Sequence, residues 1–411
     1  MPIPRRIVLG LLAGALALPV AARAAPLSED ALRTAPFETI VEAARGGTVN
    51  FFLWGGDDRI NAYVSGPLAE ALKAEYGITL NRVGVADTAE VVNQILSEQE
   101  AGVTDGGAVD LVWINGENFR TLKTGGLLLC GYAERLPNAR FVDWSDPSIA
   151  NDFGTPVDGC EVPWSKARFA LAYDSARTAE PPKTMAAFLD WVRANPGRFT
   201  YAAPPDFNGS AFVRHVFMHA AGGAEALSGP FDQARFDAAA EKAYGLLDDL
   251  EPFLWREGRT YPTDIAQLNQ LFANSEVDFT FNYEPTVFGA GVADGRFPET
   301  TRSFAFDDGT LANTSYVAVP FNAANKAAAL VLANHLLSPA EQLRKADPAV
   351  WGMATALDLD RLTPAEAEAF RALPRHPAVI ADEDLADRAM AELSADWLEA
   401  IEKGWIERVG R

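Results

Sequence analysis

Four short stretches of this sequence draw on one set of groups: an aromatic ring and a carboxylate in each, with an amide in three of them and a glycine in three. They are Trp54-Gly55-Gly56-Asp57-Asp58, Trp113-Ile114-Asn115-Gly116-Glu117-Asn118, Asp206-Phe207-Asn208-Gly209-Ser210 and Phe281-Asn282-Tyr283-Glu284-Pro285. Their chemistry is that of holding a ligand. A ring offers a flat face, and glycine lets a backbone come close because it carries no Cβ. Where such a stretch opens a helix, the free N–H groups of the first turn favour an anion. Asp57 or Asp58 either caps those groups or meets the ligand directly. Trp113 reads as core, with Asn115, Glu117 and Asn118 as the polar candidates beside it.

Bond-making chemistry finds little support. Four histidines are present, His215, His219, His335 and His376. His215 and His219 stand four apart on a predicted helix, but Val-Phe-Met separates them without the glutamate of the zinc-protease pattern. They read as packing or surface residues. No G-x-S-x-G elbow, phosphate-binding loop or dinucleotide fingerprint follows a predicted strand. The acid pairs Asp57-Asp58, Asp248-Asp249 and Asp307-Asp308 are sequence neighbours. Neighbours on a helix do not face each other, so these are poor acid/base pairs.

The elements that must position these stretches follow from apolar periodicity. Residues 48–54 and 109–114 are continuous apolar runs and 78–85 a third strand. Residues 60–76 and 87–99 carry apolar residues at helical spacing between them, the first ending at Gly77. This β-α-β-α-β order implies a largely parallel sheet covered on both faces. Residues 125–163 read as loop-rich. Further strands are expected at 168–173, 199–201, 277–282 and 314–320. Helices are expected from the Thr184 cap to 194 and over 210–221, 233–250, 263–273 and 325–337. All four stretches then sit at carboxyl ends of strands, where open α/β sheets bind ligands.

At 411 residues the chain exceeds one ordinary core. Its start is an export signal: basic Arg5-Arg6, an apolar run from Ile7 to Leu18, and the small-x-small site Ala22-Arg23-Ala24. Residues 1–24 are expected to be removed, by the general secretory route in preference to the twin-arginine one that Arg5-Arg6 also resembles. The mature chain is then periplasmic, where Cys130 and Cys160 can form a disulfide. The formal charge of −21 makes nucleic acid and anionic lipid poor partners.

The chain resembles periplasmic solute-binding proteins of ABC importers, and within them the YnjB-like group related to the thiamine- and polyamine-binding branch. The exported start carries the resemblance together with four blocks in family order. These are "TVNFFLWGGDDRINAYV", "ARFALAYDSART", "PPKTMAAFLDWVRANPGRFTYAAPPDFNGS" and "GTLANTSYVAVPFNAANKAAALVLANHLLSPAEQ". The resemblance implies the type II periplasmic-binding fold: α/β, two lobes with mixed sheets flanked by helices, joined by hinge strands. Lobe 1 would take 25–167 plus 316–347 and lobe 2 174–310 plus 351–411. The crossings would be 168–173 and 311–320, with a third near Trp351.

The function so implied is binding without catalysis, cofactor or metal: closure on a small molecule by a monomer and delivery to a membrane permease. The implied contacts are Trp54, Gly55, Gly56, Asp57, Asn115, Glu117, Asn118, Phe207, Asn208, Gly209, Tyr283 and Glu284, with Trp164, Ser315 and Trp351. The rings of Trp54, Trp164, Phe207, Tyr283 and Trp351 would stack on a flat or cationic ligand. Asp57, Glu117, Asp206 and Glu284 would pair its charge. A cationic or heterocyclic amine is the leading ligand class. A sugar or metal binder of the same fold, or an exported hydrolase, is the alternative.

Overall fold

The computed structural model describes residues 27–410. The leader expected over residues 1–24 lies outside them. Among the described residues eleven strands run in chain order: β1 (Thr48–Trp54), β2 (Thr79–Val85), β3 (Leu111–Ile114), β4 (Asn151–Asp152), β5 (Thr155–Pro156), β6 (Glu161–Arg168), β7 (Ala170–Asp174), β8 (Phe279–Asn282), β9 (Thr301–Phe304), β10 (Thr310–Ala318) and β11 (Ala389–Ala391).

The first sheet has the order β11-β10-β3-β1-β2, with β6 on the other edge of β10. β1 pairs in parallel with β2 and β3, and β10 runs antiparallel to β3 and β6. β1 buries Phe51, Phe52 and Leu53. Helices take both faces, as a strand apolar on both sides requires. The 88–100 helix starts at an Asp87 cap and turns Val91, Val92 and Ile95 inward. The 60–76 pattern is one helical path with a five-residue π segment at Val64–Leu68, where Pro67 sits. It ends as expected at Gly77 in the left-handed conformation.

The second sheet is β8-β7-β9, antiparallel throughout. Phe188, Phe199, Phe212, Phe279, Phe281, Phe304 and Phe306 are buried around it. Helices Met185–Ala194, Phe207–Ala221 and Gln233–Leu250 form at the expected places, the first with the Thr184 cap. The two sheets are joined by β6 running into β7 through Phe169 and by β9 leading into β10. The Phe169 N–H donates to Leu311 O at 2.8 Å, so the two runs are bonded side by side.

Three sequence expectations differ. Residues 199–201 make no strand: Phe199 O accepts from Trp255 and the Ala203 N–H goes to Pro262, loop partners with no ladder. The loop-rich region ends at Glu161, where β6 begins, so Pro163 and Trp164 are strand residues. Residues 351–371, assigned to lobe 2, pack on first-sheet elements. Ser165 bridges Thr355, the Asp358 N–H donates to Phe141 O, and Arg361 pairs with Asp143. The chain reaches the second sheet at Ala378, whose carbonyl accepts from Ser303 Oγ on β9. Cys130 and Cys160 form a disulfide.

Candidate functional site

A cleft of about 1200 Å³ lies between the two sheets. Its walls come from the ends of β1, β2 and β3 on one side and from the 205–208, 263–274 and 282–297 segments on the other. Twelve of the expected contacts line it: Trp54, Gly55, Gly56, Asp57, Asn115, Glu117, Asn118, Phe207, Asn208, Tyr283, Glu284 and Ser315.

The β1 end is built around Trp54. Its half-buried ring lies over Gly56, where an added Cβ would come within 2.2 Å of Cζ2. Glycine at 56 is therefore what lets the indole lie flat along the turn. Asp57 Oδ1 accepts the Arg59 and Ile60 N–H groups at 2.7 and 3.1 Å, so Asp57 caps the helix and lines the cleft at once. Asp58 is in the first helical turn and exposed.

On the opposite wall Asp206 caps the Phe207–Ala221 helix and also accepts from the first residue of the Ile265–Ala273 helix, whose own cap is Asp264. Asp206 Oδ1 accepts from Gly209 and Asp206 Oδ2 from the Ile265 N–H at 3.0 Å. Gly209 is not a lining residue. It is buried against Ala202, whose carbonyl oxygen an added Cβ would meet at 2.0 Å. Phe207, 36% exposed, stands out over Tyr283 with ring centroids 4.9 Å apart. Asn208 Oδ1 accepts the Tyr283 N–H and Asn282 Oδ1 the Glu284 N–H. These amides fix the loop that presents Tyr283 and Glu284.

Beneath that wall lies a buried network that sequence reading missed. Arg214, fully buried, donates to Ser210 Oγ and Tyr283 Oη at 2.9 Å and pairs with Glu392 at 3.2 Å. Tyr283 Oη also donates to Glu392. Arg214 and Glu392 are 178 residues apart in sequence, a separation that leaves no local signal.

Trp164 and Trp351 are core residues. They are 0% and 2% exposed, and each packs on Trp113, with centroids at 5.1 and 5.9 Å. Trp113, read as core, is instead half-buried and lines the cleft. Trp351 reaches the site indirectly, through its indole N–H on Glu284 Oε2.

Six carboxylates and three guanidiniums line the cleft. Asp57, Asp87, Asp206 and Asp264 are all helix caps. Neither Glu117 nor Glu284 is an N-cap; Glu117 accepts from Asn118 Nδ2 and Glu284 from the Trp351 indole N–H. Burial raises the carboxyl of each above the usual range, and Glu284 reaches about 7. Charge without a capping duty in a half-dry site suits a positive ligand group.

No histidine lines the cleft. His215 is buried, donates Nδ1–H to Ala211 O and accepts the Leu311 N–H on Nε2, which accounts for it structurally. Among the described residues no group of three or more His, Cys, Asp or Glu is arranged to hold a metal ion, and no helix is long and apolar enough to cross a membrane.

The chain is 40% identical over 380 residues to protein YnjB of Escherichia coli strain K12, across 92% of this chain and 95% of that one. Its fold is similar to that of the TpPotD lipoprotein of Treponema pallidum, with a TM-score of 0.65 at 15% identity over 89% of this chain and all of the other. A putative spermidine/putrescine ABC transporter protein from Listeria monocytogenes superposes with a TM-score of 0.60 at 14% identity, covering 88% and 99%. These likenesses place the fold among two-lobed periplasmic binding proteins. The profile of the bacterial extracellular solute-binding proteins matches residues 67–359. With the interlobe cleft and that match together, the chain belongs to the bacterial extracellular solute-binding protein family.

Proposed function

We propose that this protein is the extracytoplasmic solute-binding component of an ABC import system. It captures a cationic or heterocyclic amine in the interlobe cleft and delivers it to a membrane permease. The observation that carries the ligand class is the pairing of cleft-lining rings with acids that have no cation partner among the described residues: Trp54 and Phe207 with Glu117 and Glu284. A cation between aromatic faces gains from the ring quadrupole, and a desolvated carboxylate adds to it. The spermidine/putrescine description of one neighbour agrees with this class. The β6–β7 and β9–β10 runs act as hinges, and closure is favoured by a ligand touching both walls.

The test is a thermal-shift screen of the mature protein against diamines, polyamines, thiamine, sugars and metal salts, followed by calorimetry. An amine is expected to raise the melting temperature by mass action. Stabilisation by a sugar or metal alone, or turnover of a chromogenic ester or glycoside with no amine effect, overturns this reading.

A further inference from the structure

We infer that the ligand also carries an oxyanion, a carboxylate or phosphate, and that Arg82 receives it at the cleft end of β2. This rests on the reading of the cleft as the ligand site.

Arg82 is half-buried and lines the cleft. Its guanidinium is fixed from two sides by neutral acceptors. Nε donates to Ser65 Oγ at 3.0 Å and Nη1 to Asn61 Oδ1 at 2.9 Å. Asn61 in turn donates Nδ2–H to Gly55 O at 2.8 Å, which ties the group to the β1 turn. A guanidinium has five N–H donors. Two are used here, so three remain for a ligand.

The space around it is cleared by glycine. An added Cβ at Gly84 would meet Arg82 Nη1 at 2.7 Å. At Gly55 it would meet Gly84 Cα at 3.3 Å. The two glycines face each other across paired strand ends and leave room for the guanidinium to lie against the backbone.

Among the described residues no carboxylate forms a salt bridge with it. Of the other two cleft arginines, Arg296 pairs with Asp294, and Arg59 has no salt bridge to an acid among the described residues but gives Nη2–H to Pro348 O. A preorganised, unneutralised guanidinium in a cleft otherwise rich in acid recognises planar or tetrahedral oxyanions by paired N–H donors. The ligand is then an amine at Glu117 or Glu284 and an acid at Arg82.

Matched probes test this by calorimetry. They are 4-aminobutyrate against 1,4-diaminobutane, and O-phosphoethanolamine against ethanolamine. Within at least one pair the acidic member is expected to bind about tenfold tighter or more, and R82Q to remove that preference. The carboxylate pair and the phosphate pair separate the two sources of the oxyanion. R82K keeps the charge without the fork and is expected to restore only part of the preference. Circular dichroism of each variant checks the fold.

A cationic member preferred in both pairs, or a preference that survives in R82Q, overturns the inference while leaving amine capture intact. Loss of binding by every probe would indict the amine reading. In that case inorganic phosphate and acetate are compared with chloride at equal ionic strength by thermal shift. Absence of any shift that depends on Arg82 overturns the oxyanion site as well.

Discussion

The Trp351 indole N–H donates to Glu284 Oε2 at 3.0 Å, joining a buried core tryptophan to an acid of the cleft wall. Burial pushes the Glu284 carboxyl up to about 7, against the opposing pull of that bond and of Arg59 and Lys345. Its protonated fraction therefore changes near neutral pH.

Two opposite pH effects are expected from Glu284. Its folded pKa lies above the unfolded value, so its stabilising contribution is complete below about 4.5 and is lost as pH rises to about 7. The span is about 2 kcal/mol once partial exposure is allowed for. Capture of a cation runs the other way and weakens as pH falls through 7, because the carboxylate is neutralised. Calorimetry from pH 6 to 8 on the native protein and E284Q checks this. A profile that E284Q leaves unchanged removes Glu284 from the site.

Trp54 and Gly56 are expected to fail together. W54A removes a ring face from the cleft, and G56A forces a methyl into the volume that the ring occupies. Each should weaken binding by about tenfold or more, on the scale of one to two kcal/mol for a stacked cation. Melting temperatures should fall little for W54A, whose ring is half-buried. Full affinity in G56A would show that the ring is free to move aside.

Much of the cleft was legible because its walls are strand ends, and strand ends are read locally from apolar runs that stop at glycine, amide and acid. Glu117 and Tyr283 were found that way, whereas Phe207 was reached through an expected strand at 199–201 that does not form. The two large errors of position, Trp164 and Trp351, come from reading ring type without register. The strand was expected to begin at 168, whereas β6 begins at Glu161, so the face on which Trp164 points could not be read. Arg59, Arg82 and the Asp264–Asn274 wall were missed because they lie inside strand and helix patterns, where a polar residue reads as solvent-facing. The long-range network of Arg214 and Glu392 carries no sequence signal of any period.

His215 should set part of the acid limb of stability. Burial holds its imidazole down to about 4, with the Ala211 carbonyl opposing. A base with a depressed folded pKa contributes stability that is complete above about 6.5 and is lost as pH falls to about 4. The loss is about 3 kcal/mol. Urea unfolding of the native protein and H215F at pH 7, 5.5 and 4.5 checks it. A native-to-variant difference that stays constant with pH would mean that His215 does not titrate in this range.

The C-terminal segment should prove necessary to the cleft wall through Glu392. E392A leaves Arg214 charged and fully buried without its partner, which costs about 3–5 kcal/mol for a pair of this kind. It also frees Tyr283 Oη, so the ring beneath Phe207 loses one of its two anchors. Weaker ligand binding should therefore accompany the lower stability. R214M/E392M removes both charges and is expected to be more stable than E392A alone, because no buried ion is left unpaired. Chemical denaturation of the native protein, R214M, E392M and R214M/E392M forms a double-mutant cycle. A coupling under about 0.5 kcal/mol would show that the pair does not hold the wall. Recovery of stability without recovery of binding in the double variant would assign to the Arg214–Glu392 pair the placing of Tyr283, separately from its charge balance.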